Sequence, residues 1–356
     1  MTVQDIAKQR LVSQQLVETT FKLPGNLLVW LGAVQSQDYA GAKWSLGLRL
    51  PGSNEASIEQ AIAEKSIVRS WVLRGTLHFV AAQDIHWLLA LVAARIIAGS
   101  ARRYRELELD EPTLSRSNDV LAGALQGSRQ LTRTELFTIL EQNGISTLGQ
   151  RGVHILQRAS LEGLICQGVT QRNNPTFISL DKLPVPIKVM AREEALAALA
   201  KRYFTSRGPA TLQDFIWWSG LSSTDAKAGL DAIQSQFLRE TIDGKTYWLS
   251  YSVPIVQENS GMVYLLPGFD EYLLAYKDRG ASLDVPHYKR LTPTNGMLPA
   301  AIVIGGRVVG TWKRTLKKDK LIIEANPFTA FSNAENSAFT AGARRYGEYL
   351  NLSVEL

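Results

Sequence analysis

Cysteine is nearly missing from this sequence: Cys166 stands alone, so no disulfide can form within the chain. Histidine is scarce as well. His78, His86, His154 and His287 are scattered, and with a single cysteine they match no familiar zinc spacing. Neither a metal nor a cofactor is therefore expected. Near Met1 no charged stretch is followed by an apolar one, since "MTVQDIAKQRLVSQQL" is polar, and no uninterrupted apolar run is long enough to span a bilayer. The expectation is a cytoplasmic, metal-free monomer that does not contact membrane.

Apolar mass and positive charge are both present. Of 356 residues 45% are hydrophobic, enough to pack one large domain or several small ones. Lysine and arginine exceed aspartate and glutamate by 39 to 33, a formal charge of +6, which is compatible with a polyanionic partner.

One pattern recurs along the chain: helices, then a short hairpin. In "LTRTELFTILEQNG", Thr132 and Thr134 are N-cap candidates, Leu136, Phe137 and Leu140 form an apolar stripe, and Asn143-Gly144 ends the helix. A second helix follows, with Val153, Leu156, Ala159, Leu161 and Leu164 at helical spacing; Asn173-Asn174-Pro175 turns the chain, and "TFISL" returns as a strand. That order is the order of a winged helix. A further copy has "ATLQDFIWWSG" and "SSTDAKAGLDAI" as its helices and "FLRETIDGKTYWLS" as a hairpin turning at Asp243-Gly244. A less regular copy near the N-terminus takes "PGNLLVWLGAVQSQDYAGAKWSLGLR" and "SIEQAIAEKSIV" as helices and "VRSWVLRGTLHFV" as a strand. Beyond Tyr251 the texture is β-rich, closed by an amphipathic helix over Phe331 to Asn351 and a last strand in "LSVEL". The fold class is thus α+β: tandem winged helices over residues 1–110, 111–188 and 189–252, followed over 253–356 by a small antiparallel barrel-like domain.

Three winged helices with a basic balance point to DNA. Phosphate-contact candidates are Lys43, Arg49, Arg69, Arg74, the cluster Arg102, Arg103 and Arg105, and Lys313, Arg314, Lys317 and Lys318 in "TWKRTLKKDK". Any one of them alone also reads as a solvated surface charge. Read as one strand, "RSWVLRGTLHFV" sets Ser70, Val72, Arg74, Thr76 and His78 on one side and Trp71, Leu73 and Leu77 on the other, as a cleft wall would; Arg74 as an ion-pair partner and His78 as a hydrogen-bonded wing residue are the alternative. Asp270 and Glu271 admit two readings, acid–base or metal chemistry on one hand and capping with ion pairing on the other; Asp278 with Arg279 suits the second.

The run "LGAVQSQDYAGAKW" puts Gln35, Gln37 and Asp38 at the expected end of an apolar helix. Neutral amides are neither bases nor nucleophiles. Two converging amides, each accepting and donating, can hold one water in a fixed orientation, and that suits a reaction whose leaving group departs easily. Hydrolysis of the glycosidic bond to an N-alkylated purine is such a reaction: the cationic base leaves neutral and a positioned water traps the oxocarbenium-like sugar. Asp38 either assists that water or ends the helix.

These residues resemble the AlkZ-like family of DNA glycosylases, through "LGAVQSQDYAGAKWSLGLR", "RSWVLRGTLHFV" and "PGFDEYLLAYKDR", and the likeness runs over nearly the whole chain. The resemblance implies excision of bulky alkyl-purines from duplex DNA and unhooking of interstrand crosslinks. It puts the catalytic glutamine-x-glutamine motif on Gln35, Ser36 and Gln37, with serine in place of the usual aliphatic residue, and Asp38 beside it. It also implies a concave DNA channel with the glutamines on its inner surface, where a bulky lesion is reached without full base flipping. Tyr39, Trp44, Trp71 and His78 are expected as walls of the site. A DNA-binding regulator without enzymatic activity, or a protein-interaction scaffold, is the competing reading of the winged helices.

Overall fold

A computed structural model describes residues 1–172, 174–254, 261–291 and 298–356. The chain forms two compact units, one from residues 1–58 and 196–356, the other from residues 59–195.

In the unit of residues 59–195 the helices start and stop where local chemistry dictates. Thr132 and Glu135 form a reciprocal capping box, so two of the orphan N–H groups of the helix Arg133–Gln142 are satisfied, and the chain leaves at Asn143 through Gly144 with φ of 69°. The helix Arg151–Leu161 buries Gly152, Ile155, Leu156, Ala159 and Leu161. Val153, expected in that stripe, is 39% exposed, because the buried face is centred on Ile155 and Ala159. Strands Ile165–Gln167 and Thr176–Ser179 pair antiparallel as expected; Asn173, placed in the turn between them, lies outside the described residues.

The segment "RSWVLRGTLHFV" is not one strand. Ile67–Trp71 and Leu77–Ala81 form an antiparallel hairpin with Ser70 opposite His78 and Trp71 opposite Leu77. Arg74 and Gly75 both take positive φ, 57° and 70°, and two such residues in succession reverse the chain. The expected alternation therefore stops at Trp71. Within this unit the strands lie in the order Leu77–Ala81, Ile67–Trp71, Ile165–Gln167, Thr176–Ser179, Leu131–Thr132, the two hairpins meeting where Arg69 pairs Gln167.

The stretch Ala82–Gly99 is long and apolar enough to cross a membrane by length and composition alone, with Asp84 and Arg95 interrupting the run. Its helix Ile85–Gly99 buries Ile85, Trp87, Leu88, Leu89, Leu91 and Val92, as the core helix of a globular unit does.

The unit of residues 1–58 and 196–356 carries the helices Leu212–Ser219 and Ser223–Asp231, capped by Thr211 and Ser222, then strands Phe237–Ile242 and Lys245–Ser250. Asp243 and Gly244 turn that hairpin with φ of 47° and 74°, the pair of left-handed residues that a tight two-residue turn requires. Five strands form a sheet in the order Ser353–Glu355, Lys320–Pro327, Arg307–Leu316, Ala301–Ile304, Val263–Leu266. Its pairings are antiparallel except at the edge, where Ser353–Glu355 runs parallel to Lys320–Pro327. The helix Asn333–Leu350 starts at a Ser332 capping box and ends at Asn351 in the left-handed region. Its Tyr346 and Tyr349 pack on the indole of Trp44, with ring centroids 4.6 and 5.0 Å away, which ties the N-terminal helices to the C-terminal one through a buried aromatic cluster.

Candidate active site

Residues 24–48 build the centre of the expected site. Pro24 opens the helix Pro24–Leu31, where its missing N–H costs nothing, and Gly32 closes it with φ of 76°. The helix thus ends before the glutamines, one correction to the sequence reading. Gln35 belongs to the two-residue strand Val34–Gln35, and Asp38 is the N-cap of the next helix, Tyr39–Leu48, where it accepts a hydrogen bond from the Gly41 amide at 3.0 Å. Both glutamines therefore stand in a short link between two helices. Gln35 is 8% exposed, Ser36 fully buried and Gln37 exposed. The middle position faces the interior, where an aliphatic side chain would be equally at home.

Two buried ion pairs back this link. Arg207 donates through Nη1 to the carbonyl of Leu31 at 2.6 Å and through Nη2 to that of Ala33 at 2.9 Å and to Glu271 Oε2 at 2.6 Å. Glu271 Oε1 accepts the amide of Gln35 at 3.0 Å, and its Oε2 also takes the indole N–H of Trp218 at 2.9 Å. Beside it Arg49 grips Asp270 with two hydrogen bonds, Nη1 to Oδ2 at 2.9 Å and Nη2 to Oδ1 at 2.8 Å, while Ser45 donates to Oδ2 at 2.6 Å and Gln14 accepts from Arg49 at 2.9 Å. Burial alone would raise the Asp270 carboxyl, but the Arg49 guanidinium and the hydrogen bonds it receives outweigh that and hold it below the ordinary carboxylate value. Both carboxylates are thus committed to arginines. Asp270 also caps the helix Glu271–Leu274, so capping and ion pairing, not metal or acid–base chemistry, describe this pair. Asp278 plays a similar part, although its ion-pair partner is Lys245 and not Arg279, which donates to the Leu273 carbonyl. Among the described residues no three His, Cys, Asp or Glu side chains gather as metal ligands would.

Several residues expected on a DNA-facing surface are internal. Arg49 is fully buried in the pair just described. Lys43 is buried with Nζ 2.7 Å from Glu55 and 4.7 Å from the ring of half-buried Tyr39. Trp44 is a buried core residue whose indole donates to the Leu265 carbonyl. In the other unit Arg69 is buried and donates to Gln167 Oε1 at 2.7 Å, and Trp71 stacks on Phe177 at 6.5 Å between centroids. His78 is buried with Nδ1 2.9 Å from the Thr76 carbonyl, the wing-residue alternative, and half-buried Arg74 sits in the hairpin turn. For Arg49, Lys43, Trp44, Arg69 and His78 the common reason is an apolar stem or ring, which packs, and a polar end that finds a partner inside. Lys313, Lys317 and Lys318 are exposed, and Arg314 is half-exposed with its guanidinium 5.5 Å from the ring of Tyr346. Arg102 and Arg103 pair with Glu106, and Arg105 is exposed.

Arg207 and Trp218 escaped the sequence reading. The one trace of Arg207 is its place directly before Gly208-Pro209, where its helix Arg192–Arg207 must end.

A family model described as DNA glycosylase AlkZ-like matches residues 28–349. The interstrand DNA cross-link repair glycosylase of Streptomyces sahachiroi is 26% identical over 327 residues, covering 84% of this chain and 84% of that protein. The solved structure of Streptomyces sahachiroi DNA glycosylase AlkZ superposes with a TM-score of 0.79 at 22% identity, over 100% of this chain and 99% of that one, a likeness of fold.

Proposed function

Since the chain belongs to the AlkZ-like DNA glycosylase family, we propose that it releases N-alkylated purines from duplex DNA with a water held by Gln35 and Gln37. The water oxygen attacks C1′ as the C1′–N bond breaks; the bonding pair goes to the cationic base, which leaves neutral, and the water proton passes to solvent, leaving an abasic sugar. The leaving group needs no acid, so oriented amides suffice. The observation that carries this reading is the placement of the two glutamines: a link between two helices, pinned from behind by Arg207 and Glu271, with Gln35 at the edge of the interior and Gln37 in solvent reach. Asp38 is spent on its cap and serves the water only by fixing the helix that follows.

The crosslink-repair activity for which the Streptomyces relative is named supports extending the substrate to interstrand crosslinks. The helix–helix–hairpin order supports three winged helices over 1–110, 111–188 and 189–252, with a β-rich, barrel-like domain over 253–356 as part of the same proposal. Action on DNA as a monomer in the cytoplasm is likewise proposed. Lys313, Arg314, Lys317 and Lys318 are the phosphate contacts best supported by exposure. The test is base release from duplex DNA carrying a defined N7-alkylguanine: Gln35→Ala and Gln37→Ala are expected to bind this DNA as the wild type does and to release no base. Release at the wild-type rate by both variants rules the assignment out.

A further inference from the structure

We propose that Arg207 and Glu271, with Trp218 behind them, are positioning residues for the glutamine pair; this rests on the reading of Gln35 and Gln37 given above. Three backbone groups within five residues are held by two side chains. The carbonyls of Leu31 and Ala33 go to the two ends of one guanidinium, and the amide of Gln35 goes to the carboxylate that the same guanidinium binds. A guanidinium is planar and its donors are fixed in direction, so it works as a template in a way that an ammonium cannot. Both side chains are fully buried, and Arg207 lies 4.3 Å over the ring of Trp218, whose indole N–H fixes the second carboxylate oxygen. The orientation of the peptide before Gln35 decides which way that side chain points. Glu271 reads that orientation directly by accepting the N–H, while Arg207 fixes the two carbonyls upstream, past Gly32, whose missing Cβ would otherwise leave the backbone free to turn. Glu271 is itself anchored, because its own carbonyl accepts from Gln14 Nε2 at 3.2 Å and its helix starts at the Asp270 cap.

A buried ion pair is weak evidence for stability but a good device for fixing one arrangement among several. The function at stake is the angle at which two amides meet one water, where a misplacement of about 1 Å costs on the order of 10²-fold in rate. The experiment uses the full chain with enzyme in excess over alkylated duplex, so that the single-turnover constant reads alignment and not the amount of active protein; DNA affinity and thermal unfolding are measured alongside. Arg207→Lys, which keeps the charge and loses the fork, and Glu271→Gln, which keeps the shape and loses the charge, are each expected to slow base release by roughly 10²-fold with DNA affinity unchanged. A merely structural role would lower the unfolding temperature and leave the single-turnover constant alone, and that result in the folded variants overturns the proposal. Should both fail to fold, Trp218→Phe decides: it removes one hydrogen bond to Glu271 and keeps the ring, so slower release supports the clamp and wild-type release rejects it. Gln35→Ala and Gln37→Ala run in parallel. If they release base normally, the reading of the glutamines has failed; if they are inactive while the clamp variants are normal, only the clamp has.

Discussion

Asp38 stands beside the proposed catalytic pair and also holds an architectural place. It follows the glutamines directly, yet its carboxylate accepts the Gly41 amide and starts the helix Tyr39–Leu48. Asparagine caps a helix about as well as aspartate, whereas alanine costs about 1 kcal/mol at such a position. Asp38→Asn is therefore expected to retain base release, and Asp38→Ala to lose stability by that amount with most of its rate intact. Loss of release in a folded Asp38→Asn protein would return Asp38 to the chemistry. The reading of Gln35 and Gln37 came from the chemistry of the side-chain type alone. Whether Arg49, Trp44 or His78 faces solvent or core was not legible in that way, since burial is set by residues far away along the chain: Arg49 meets Asp270, and Trp44 meets Tyr346.

Elements were the most legible level where their signals are local. The Thr132 cap and the Asp243-Gly244 turn stand where the residues alone put them, because caps and turns involve partners within four positions. The strand over "RSWVLRGTLHFV" failed for the complementary reason: alternation describes a strand and is silent about a turn made by Arg74, a residue type that seldom takes positive φ. The short helix Glu271–Leu274 illustrates an element held by charge. Its Asp270 cap sits below its ordinary pKa, so the stability it lends is present above about 3.9, the unfolded value, and is lost as pH falls through the lower folded value. Asp270→Asn is expected to destabilise the protein by about 3–5 kcal/mol near neutral pH, because Arg49 stays buried without its counter-charge. The difference in unfolding free energy from wild type should shrink as pH is lowered below about 4. A difference that stays constant down to about pH 2 would show that Asp270 titrates no differently in the folded chain.

For the whole molecule, charge is the property that composition conveyed best, although several of the basic residues singled out are consumed inside. Lys313, Lys317 and Lys318 remain at the surface around the hairpin of Arg307–Leu316 and Lys320–Pro327. Replacing these three with alanine is expected to make the fall of DNA affinity with salt shallower, by roughly 0.9 in log–log slope for each phosphate that is no longer neutralised, while the single-turnover rate on saturated DNA stays the same. An unchanged slope means that the phosphates are gripped elsewhere. The separation of the clamp from the link it holds has a consequence for how the enzyme is made. Gln35 lies 236 positions before Glu271, and Leu31 lies 176 before Arg207. Synthesis runs from the N-terminus at about 5–20 residues per second, so the growing chain carries both glutamines for roughly ten seconds or more before the carboxylate that takes the Gln35 amide exists. On the proposed reading, hydrolytic competence then arrives late and all at once, and a ribosome-bound fragment has the motif without the activity.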